Sequence, residues 1–405
     1  MISPLLQRAR AVRERFSPEV TVPAGNAVHL EAAMSWLCRA QDAVKRGGAT
    51  DHGVSQTYLV RGRTWAPSYP ETTGYIIPTF LDYARTFADD DCRRRALLMA
   101  DWECAVQHPS GGVLAGALGD SDAPTVFNTG QVLFGWAAAF EETGRPAYRD
   151  ALTRAAEWLC DVQDDDGCWR RFSSPLTLTK VNTYTTRTAW GLLRAFDATG
   201  IDRFRRYALR NIEWALHRQR PNGWLEWNCL TDDSRPLTHT IAYAMRGFLE
   251  AGAHCGVERY LAAAMRIGDA MVAAQSRNGS VPGRFDENWR PAVPWICLTG
   301  VAQLSLNCGR LHQITGIGRY RDFMLRANRF LKSTQKLRGD PNERGGIQGS
   351  SPIDGGYHPW QYPNWAAKFF ADALMIEAAT DHTAGTGVPR EASREASREA
   401  SHAET

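Results

Sequence analysis

Apolar residues recur along this chain at the three- and four-residue spacing of amphipathic helices, in segments that come in pairs. A first segment such as "LTRAAEWLCDVQ" or "LRNIEWALHRQ" ends in a glutamine and a glycine-bearing loop, and a second such as "FNTGQVLFGWAAAFEETG" follows it. The glutamines are separated by 66, 56, 56, 56 and 60 residues. This self-similarity predicts six repeats of one helical pair. The glutamines are Gln41, Gln107, Gln163, Gln219, Gln275 and Gln335.

The two helices of each pair differ in polarity, which predicts how the pairs assemble. The first carries Arg, Lys and Asp at positions typical of a solvent-facing side, whereas the second is rich in Ala, Gly, Leu and Phe and suits complete burial. Six such pairs predict an all-α, single-domain (α/α)6 toroid of six helical hairpins, with polar helices outside and apolar helices inside. An open solenoid is the structural alternative, although its usual period is shorter. Three glycines are expected to end inner helices: Gly144, Gly200 and Gly252.

The toroid is predicted to span residues 30–378. Residues 1–29 are expected to form an N-terminal lead-in helix or arm. Residues 379–405 include the low-complexity run "REASREASREASHAET" and are expected to be a disordered tail.

Composition excludes several classes of protein. The 405 residues are 43% hydrophobic, and a net charge of +3 without a Lys/Arg block argues against a nucleic-acid partner. No apolar run is long enough for a membrane span, and the N-terminus lacks a secretory signal, so a cytoplasmic location is expected. The nine cysteines form no CxxC pair, so neither a disulfide framework nor a zinc site is predicted. No cofactor or metal is expected, and the oligomeric state stays open.

The first turns of the predicted inner helices are the candidate site, because in a closed ring they converge at one face. They are polar only at their beginnings, and buried polar groups must bond each other or face a ligand. In "LTHTIAYAMRG", His239 is expected at the mouth as a proton carrier, with Tyr243 and Arg246 deeper on the same stripe. A core or helix-capping role is the alternative for each of these groups. The predicted catalytic residues are Glu71, Tyr184, His239, Tyr243 and Arg246.

Tryptophan is abundant, with 14 residues, several in loops. An aromatic face stacks on the C–H surface of a sugar ring, while amides and guanidinium groups bond its hydroxyls and carboxylates. This combination favours a saccharide ligand over an apolar one. The predicted substrate-binding residues are Tyr69, Asn128, Gln131, Asn182, Arg187, Glu226, Trp227, Asp286, Trp289, Trp360, Tyr362, Asn364 and Lys368.

Two reaction types compete for this residue set. Proton abstraction next to a uronate carboxylate, as in a lyase or epimerase, needs an Arg or Asn to neutralise the carboxylate and His or Tyr to move protons. Glycoside hydrolysis instead needs two carboxyl groups about 5 to 9.5 Å apart. Proton abstraction leads slightly, and a non-catalytic sugar-binding ring is a third possibility. The acids available for hydrolysis are Glu71, Glu226, Asp286, Glu287 and Asp354.

The stretches "YPETTGYIIPTFLDYA", "HTIAYAMRGFLEAG" and "GSSPIDGGYHPWQYPNWAAKFFADALM" resemble a bacterial group of (α/α)6 toroid proteins of polysaccharide metabolism. The group includes unsaturated glucuronyl hydrolases, polysaccharide lyases, sugar 2-epimerases and glucuronyl C5-epimerases. The resemblance covers roughly residues 30 to 378 and implies a carbohydrate-active enzyme acting on a uronate-containing oligo- or polysaccharide.

A second resemblance is to squalene cyclases and prenyltransferase β subunits. Residues Gln163 to Trp169 fit their QxxxGxW signature, and "THTIAY" is similar to the stretch that supplies a zinc histidine in prenyltransferases. The chain departs from both patterns, because Asp166 and Cys168 follow an outer helix and no DxDD motif is present. We therefore interpret QxxxGxW as a helix-packing device and keep terpene-cyclase-like chemistry as the alternative.

Overall fold

A computed structural model describes residues 4–16, 24–174, 177 and 180–386 of the chain. Its helices form six hairpins that follow a lead-in helix, α1 (Pro4–Phe16). The outer helices are α2 (Asn26–Asp42), α4 (Asp90–Val106), α6 (Pro146–Asp161), α8 (Asp202–Leu216), α10 (Glu258–Ala274) and α12 (Gly318–Thr334). The inner helices are α3 (Pro70–Phe87), α5 (Val126–Thr143), α7 (Thr186–Thr199), α9 (Thr238–Cys255), α11 (Leu298–Thr315) and α13 (Asn364–Thr386).

The six inner helices pack side by side in chain order, and α13 returns to pack against α3 and α2. The predicted toroid is therefore confirmed over the open solenoid. Close approach of the inner helices requires small residues: a Cβ on Gly135 would overlap the carbonyl oxygen of Gly74. The last helix, α13, continues to Thr386, eight residues beyond the predicted end of the ring at 378. The rest of the predicted tail, 387–405, lies outside the described residues.

Two of the three predicted helix-ending glycines are confirmed. Gly144 and Gly200 adopt the left-handed conformation after α5 and α7. The prediction for Gly252 is wrong, because α9 continues to Cys255 and ends at Gly256. Gly252 instead serves helix packing, since a Cβ there would lie 2.7 Å from the backbone nitrogen of Leu261.

The repeated glutamines tie each hairpin to the next. Gln219 Nε2 donates to the carbonyl oxygen of Gly223 in its own loop (3.3 Å) and to that of Ala263 in the next outer helix (3.0 Å). Arg266, also on that next helix, donates through Nε to Gln219 Oε1 at 2.9 Å. The side chains of Gln107 and Gln275 make the same pair of bonds to a loop glycine and to the next outer helix.

The last glutamine closes the ring. Gln335 Nε2 donates to the carbonyl oxygens of Gly345 (2.7 Å) and His29 (3.2 Å), so the sixth hairpin is tied to the first. Short strands reinforce the seam: β3 (Thr57–Leu59) pairs antiparallel with both β4 (Thr64–Trp65) and β9 (Gln361–Pro363). The other two-stranded pairs are β1 (Lys45–Arg46) with β2 (Ala49–Thr50), β5 (Val113–Leu114) with β6 (Pro124–Thr125), and β7 (Ile296–Cys297) with β8 (Ser350–Ser351).

The QxxxGxW segment acts in packing, as interpreted from the sequence. Gln163 Nε2 donates to the carbonyl oxygen of Tyr207 at 3.0 Å, and Trp169 Nε1 donates to that of Leu159 at 2.9 Å. Gly167 has a φ of +90°, and a Cβ there would lie 2.5 Å from the carbonyl oxygen of Arg210. The signature thus joins two outer helices and leaves the centre of the ring free for other residues.

In five repeats a loop glycine with positive φ follows the glutamine and contacts the backbone of an outer helix. We expect these glycines to be the backbone positions of the ring that are most sensitive to substitution. Gly279 has a φ of +93°, and a Cβ there would overlap the carbonyl oxygen of Arg326. We expect Gly279→Ala to lower the free energy of unfolding by about 3 kcal/mol in urea denaturation, because left-handed strain adds to a backbone clash.

Gly256→Ala is the matched control for this substitution. Gly256 has a φ of +65°, and a Cβ there would meet nothing within 4 Å, so strain alone should lower the free energy of unfolding by about 1 kcal/mol. Equal losses in the two variants would contradict the close approach of the hairpins.

Candidate active site

Side chains from all six inner helices and one loop meet near the centre of the ring, where the inner helices begin. Ring contacts connect them: His239 lies 4.4 Å from Tyr243, Tyr243 lies 5.1 Å from Phe127, and Phe127 lies 5.1 Å from Tyr184, measured between ring centroids. We call this set the central cluster. It comprises Tyr69, Glu71, Phe127, Asn128, Gln131, Tyr184, Arg187, His239, Tyr243, Gln303, Tyr357, His358 and Trp365.

His239 is held as a neutral base. Its Nδ1 lies 2.7 Å from Gln303 Oε1, and because an amide oxygen only accepts, Nδ1 carries the proton and Nε2 keeps its lone pair. Burial lowers the pKa of His239 to about 3; the Gln303 bond opposes this shift, while His358 and Arg187 add to it. The residue is 7% exposed and is therefore buried. At neutral pH this histidine is therefore uncharged.

His358 is a second neutral histidine in the same cluster. It lies in the loop before α13 with a φ of +46°, and its ring contacts those of Tyr357 (4.7 Å) and Trp365 (4.9 Å). Its Nδ1 lies 3.2 Å from Gln361 Oε1, and burial lowers its pKa. The ring of Tyr357 also contacts His239 at 5.4 Å, so one tyrosine lies against both histidines.

Glu71 is the carboxyl group of the central cluster. It is in the first turn of α3 and 9% exposed, and it accepts a hydrogen bond from the hydroxyl of Tyr69. Burial raises its pKa to about 7, against the opposing effects of that hydrogen bond and of Arg187. Glu71 can therefore both give and take a proton near neutral pH.

The guanidinium group of Arg187 is enclosed by aromatic rings. Its Nε donates to Gln131 Oε1 at 2.6 Å, and its guanidinium carbon lies 5.0 Å from the ring centroid of Tyr243. Four further rings lie within 5.1 to 5.7 Å, and burial lowers its pKa. They belong to Tyr75, Phe134, Trp190 and Phe369.

Two predicted site residues lie toward the other end of the ring. Arg246 pairs with Glu250 (2.9 Å), and its guanidinium lies over the ring of Trp190. Lys368 pairs with Asp372 at 2.5 Å. The structure thus separates Arg246 from His239, although both are on α9.

Three residues that were predicted to bind substrate form hydrogen bonds within the fold instead. Asn364 Nδ2 donates to Ser55 O and Thr72 Oγ1 across the seam of the ring. The hydroxyl of Tyr362 donates to Glu343 and accepts from Arg10 of α1. The Asn182 amide, oriented by its surroundings, donates to the carbonyl oxygens of Val181 and Cys229.

The remaining predicted residues are in loops. Glu226 lies 3.8 Å from Arg220, which pairs more closely with Glu287, and Asp286 caps its own turn by accepting from the backbone of Asn288 and Arg290. Trp227 stacks on Trp214, Trp289 contacts Trp224, and Trp360 lies under Arg61. None of these contacts joins the three tryptophans or the two acids to the central cluster.

Five residues of the central cluster are not among the predicted catalytic and substrate-binding residues: Phe127, Gln303, Tyr357, His358 and Trp365. Gln303 is more than a turn inside α11, and Tyr357 and His358 precede α13 in an irregular loop. The run "GGYHPW", with two glycines before an aromatic cluster, was the available signal. In the part of the chain that the structure describes, no three His, Cys, Asp or Glu side chains are placed to hold a metal ion. No helix there is long and apolar enough to cross a bilayer.

Known structures share this architecture. An unsaturated glucuronyl hydrolase specific for heparin superposes with a TM-score of 0.71 at 14% sequence identity, covering 88% of this chain and 99% of that chain. Cellobiose 2-epimerase from Bacillus thermoamylovorans gives a TM-score of 0.68 at 10% identity, with 86% and 98% covered. The chain has the fold of the α/α-toroid sugar enzymes. A D-mannose isomerase gives a TM-score of 0.67 at 13% identity, covering 88% and 97%.

Sequence comparison matches a smaller part of the chain than structure comparison does. A family profile, the squalene-hopene cyclase C-terminal domain, matches residues 67–251. That range contains three of the six glutamine ties, at Gln107, Gln163 and Gln219. Comparison with curated proteins gives no significant match. At these identities the similarities establish the shared toroid architecture.

Glu71 should make stability depend on pH. Its pKa is raised in the folded chain, so the folded state binds the proton more tightly than the unfolded state, and stability falls as pH rises from about 4.5 to 7. Glu71→Gln removes this loss. We expect the variant to gain about 3 kcal/mol more over the wild type at pH 8 than at pH 4.5 in urea denaturation.

The control for this experiment is Glu258→Gln, which changes an exposed glutamate at the start of α10. Its effect should stay within about 0.5 kcal/mol at both pH values. A Glu71→Gln gain that does not change with pH would contradict the buried, proton-holding carboxyl.

Proposed function

We propose that this protein is a carbohydrate-active enzyme that removes and returns a proton at a sugar carbon next to a carbonyl or carboxylate group. The observation that supports it is the pair of neutral histidines, His239 and His358, whose rings both contact the ring of Tyr357. Each carries its proton on Nδ1 and keeps Nε2 as a base. Two bases in one cluster suit epimerisation or isomerisation, in which a proton leaves one position and is returned at another.

In the proposed step one histidine Nε2 takes the proton from the sugar carbon, and the C–H electron pair moves to the adjacent carbonyl, giving an enediolate. That histidine, now an imidazolium, can return its proton to the neighbouring carbon while the hydroxyl proton moves between the two oxygens, which gives the isomer. For the epimer, the second histidine first takes a proton on Nε2 from solvent and gives it to the opposite face of the enediolate, and the first histidine releases its proton to solvent. The charge of Arg187 and the proton of Glu71 would stabilise the developing oxyanion. A lyase would follow the same first step and then expel a leaving group.

Two further observations support proton transfer on a sugar. Hydrolysis requires a pair of carboxyl groups flanking the scissile bond, and Glu71 is the single acid of the central cluster as defined above. The architectural neighbours named above include a sugar epimerase, a sugar isomerase and a glucuronyl hydrolase. Aromatic groups such as Trp365 offer stacking surface to a pyranose ring.

Solvent isotope exchange tests this proposal directly. Mannose, cellobiose and a glucuronate-containing disaccharide are incubated with the protein in heavy water and followed by proton NMR. We expect loss of one C–H signal next to the carbonyl or carboxylate carbon of at least one substrate. His239→Asn and His358→Asn should each lower the exchange rate by about 100-fold or more, since a positioned acid–base group contributes 10²- to 10⁴-fold.

The control variant is His312→Asn, which changes a histidine near the C-terminal end of α11 that bonds a backbone carbonyl. It should exchange at the wild-type rate. Release of new reducing ends with every C–H retained would refute the proposal in favour of hydrolysis. Ligand binding without exchange or cleavage would identify a non-catalytic sugar-binding ring.

A further inference from the structure

The ring has a cavity toward the end where the inner helices finish. Its volume is about 210 Å³, and its lining includes Asp82, Ala138, Arg194, Arg246 and Asp372, all from the second halves or middles of inner helices. Neither Glu71 nor His239 lines it. Arg187, with its surrounding rings, lies between this far-end pocket and the central cluster.

Arg187 brings an uncompensated charge to the far-end pocket. The residue is 4% exposed, and its one hydrogen bond to the described residues joins Nε to the neutral amide of Gln131. Across the described ranges its terminal nitrogens donate to no acceptor and no carboxylate pairs with it. Aromatic rings attract the cation through their faces but leave the in-plane N–H groups unbonded. A guanidinium buried without a counter-ion is unfavourable unless a ligand completes its bonds.

The other cations of the pocket already have partners. Lys368 pairs with Asp372 at 2.5 Å, and Arg246 pairs with Glu250 at 2.9 Å. Arg194 pairs with Glu141 at 2.6 Å, at the rim. Each of these three pairs is neutral as a whole. The charge of Arg187 is therefore left in excess in the pocket lining. Arg246 also has 14% of its side chain exposed, which leaves it able to bond a ligand as well.

We propose that the far-end pocket binds a small oxyanion, a carboxylate or a phosphate group, with Arg187 as its main partner and Arg246 as the second. A planar guanidinium bonds either group through two parallel hydrogen bonds. The volume is below the roughly 300–1,000 Å³ of most small-molecule sites, so the ligand is small. The pocket lies outside the central cluster but shares Arg187 with it.

The negative ends of the inner helices do not oppose this assignment. The helix dipole acts within the last turn, whereas Arg246 is the ninth residue of the 18-residue helix α9. Arg187 is the second residue of α7. An anion between these two side chains would lie away from the final carbonyl groups.

Calorimetric titration of the full chain at constant ionic strength tests the proposal, with inorganic phosphate, glucuronate and neutral glucose as probes. We expect phosphate, glucuronate or both to bind. Arg246→Gln should weaken the binding at least about tenfold by removing a charged hydrogen-bond donor. Ala138→Leu should do the same by filling the pocket without altering any charge. Circular dichroism melting of each variant without ligand checks that it folds.

Arg310→Gln is the matched control, because Arg310 also pairs with Glu250 but does not line the pocket. It should bind like the wild type. Binding of phosphate alone or of glucuronate alone, weakened in both Arg246→Gln and Ala138→Leu, would support the site and identify which oxyanion it takes. Unchanged binding in Ala138→Leu, equal loss in Arg310→Gln, equal binding of glucose, or no binding by either anion would each overturn the proposal.

Discussion

One glutamine side chain per repeat holds each hairpin against the next, and the rest of the structure depends on that contact. In four repeats its amide bonds the carbonyl of a loop glycine and another in the neighbouring outer helix. Gln41 bonds His52 instead of a glycine, and Gln163 bonds the neighbouring outer helix alone. A buried hydrogen bond contributes only about 1 kcal/mol, yet these ties act together around a closed ring. Gln335 completes the set by bonding the first hairpin.

Closure is what creates the central cluster. Each inner helix contributes only one or two polar groups at its beginning, too few for a site on any single hairpin. When the ring closes, Glu71 of the first hairpin, Arg187 of the third and His239 of the fourth interact electrostatically. Desolvation then raises the pKa of Glu71 and lowers the pKa of His239, since neutral forms are favoured in the interior. Closure of the ring thus shifts the titration of these groups through burial.

The sequence predicted the ring because its determinants are local and repeated. It also predicted His239 and Glu71 at the inner-helix beginnings, because the repeat fixes where those turns fall. It could not predict that Asn364 and Tyr362, in the equivalent turn of the last hairpin, bond the seam and α1 instead. The last hairpin packs against the first hairpin and α1, so these polar groups form hydrogen bonds with those elements. His358 was missed because an irregular loop carries it and helical periodicity has no bearing there.

Arg187 and Arg246 show the same limit at finer scale. The 56-residue spacing of the glutamines places Arg187 level with Tyr243, so Arg246 lies three residues further along its own helix. A carbon added to Gly247 would touch Thr186, so the start of α7 lies beside the middle of α9. Arg187, near the start of α7, therefore reaches Glu71 and His239 on one side and the far-end pocket on the other. An anion bound at the far end would weaken that field, so the two ends of the ring are coupled through one guanidinium group.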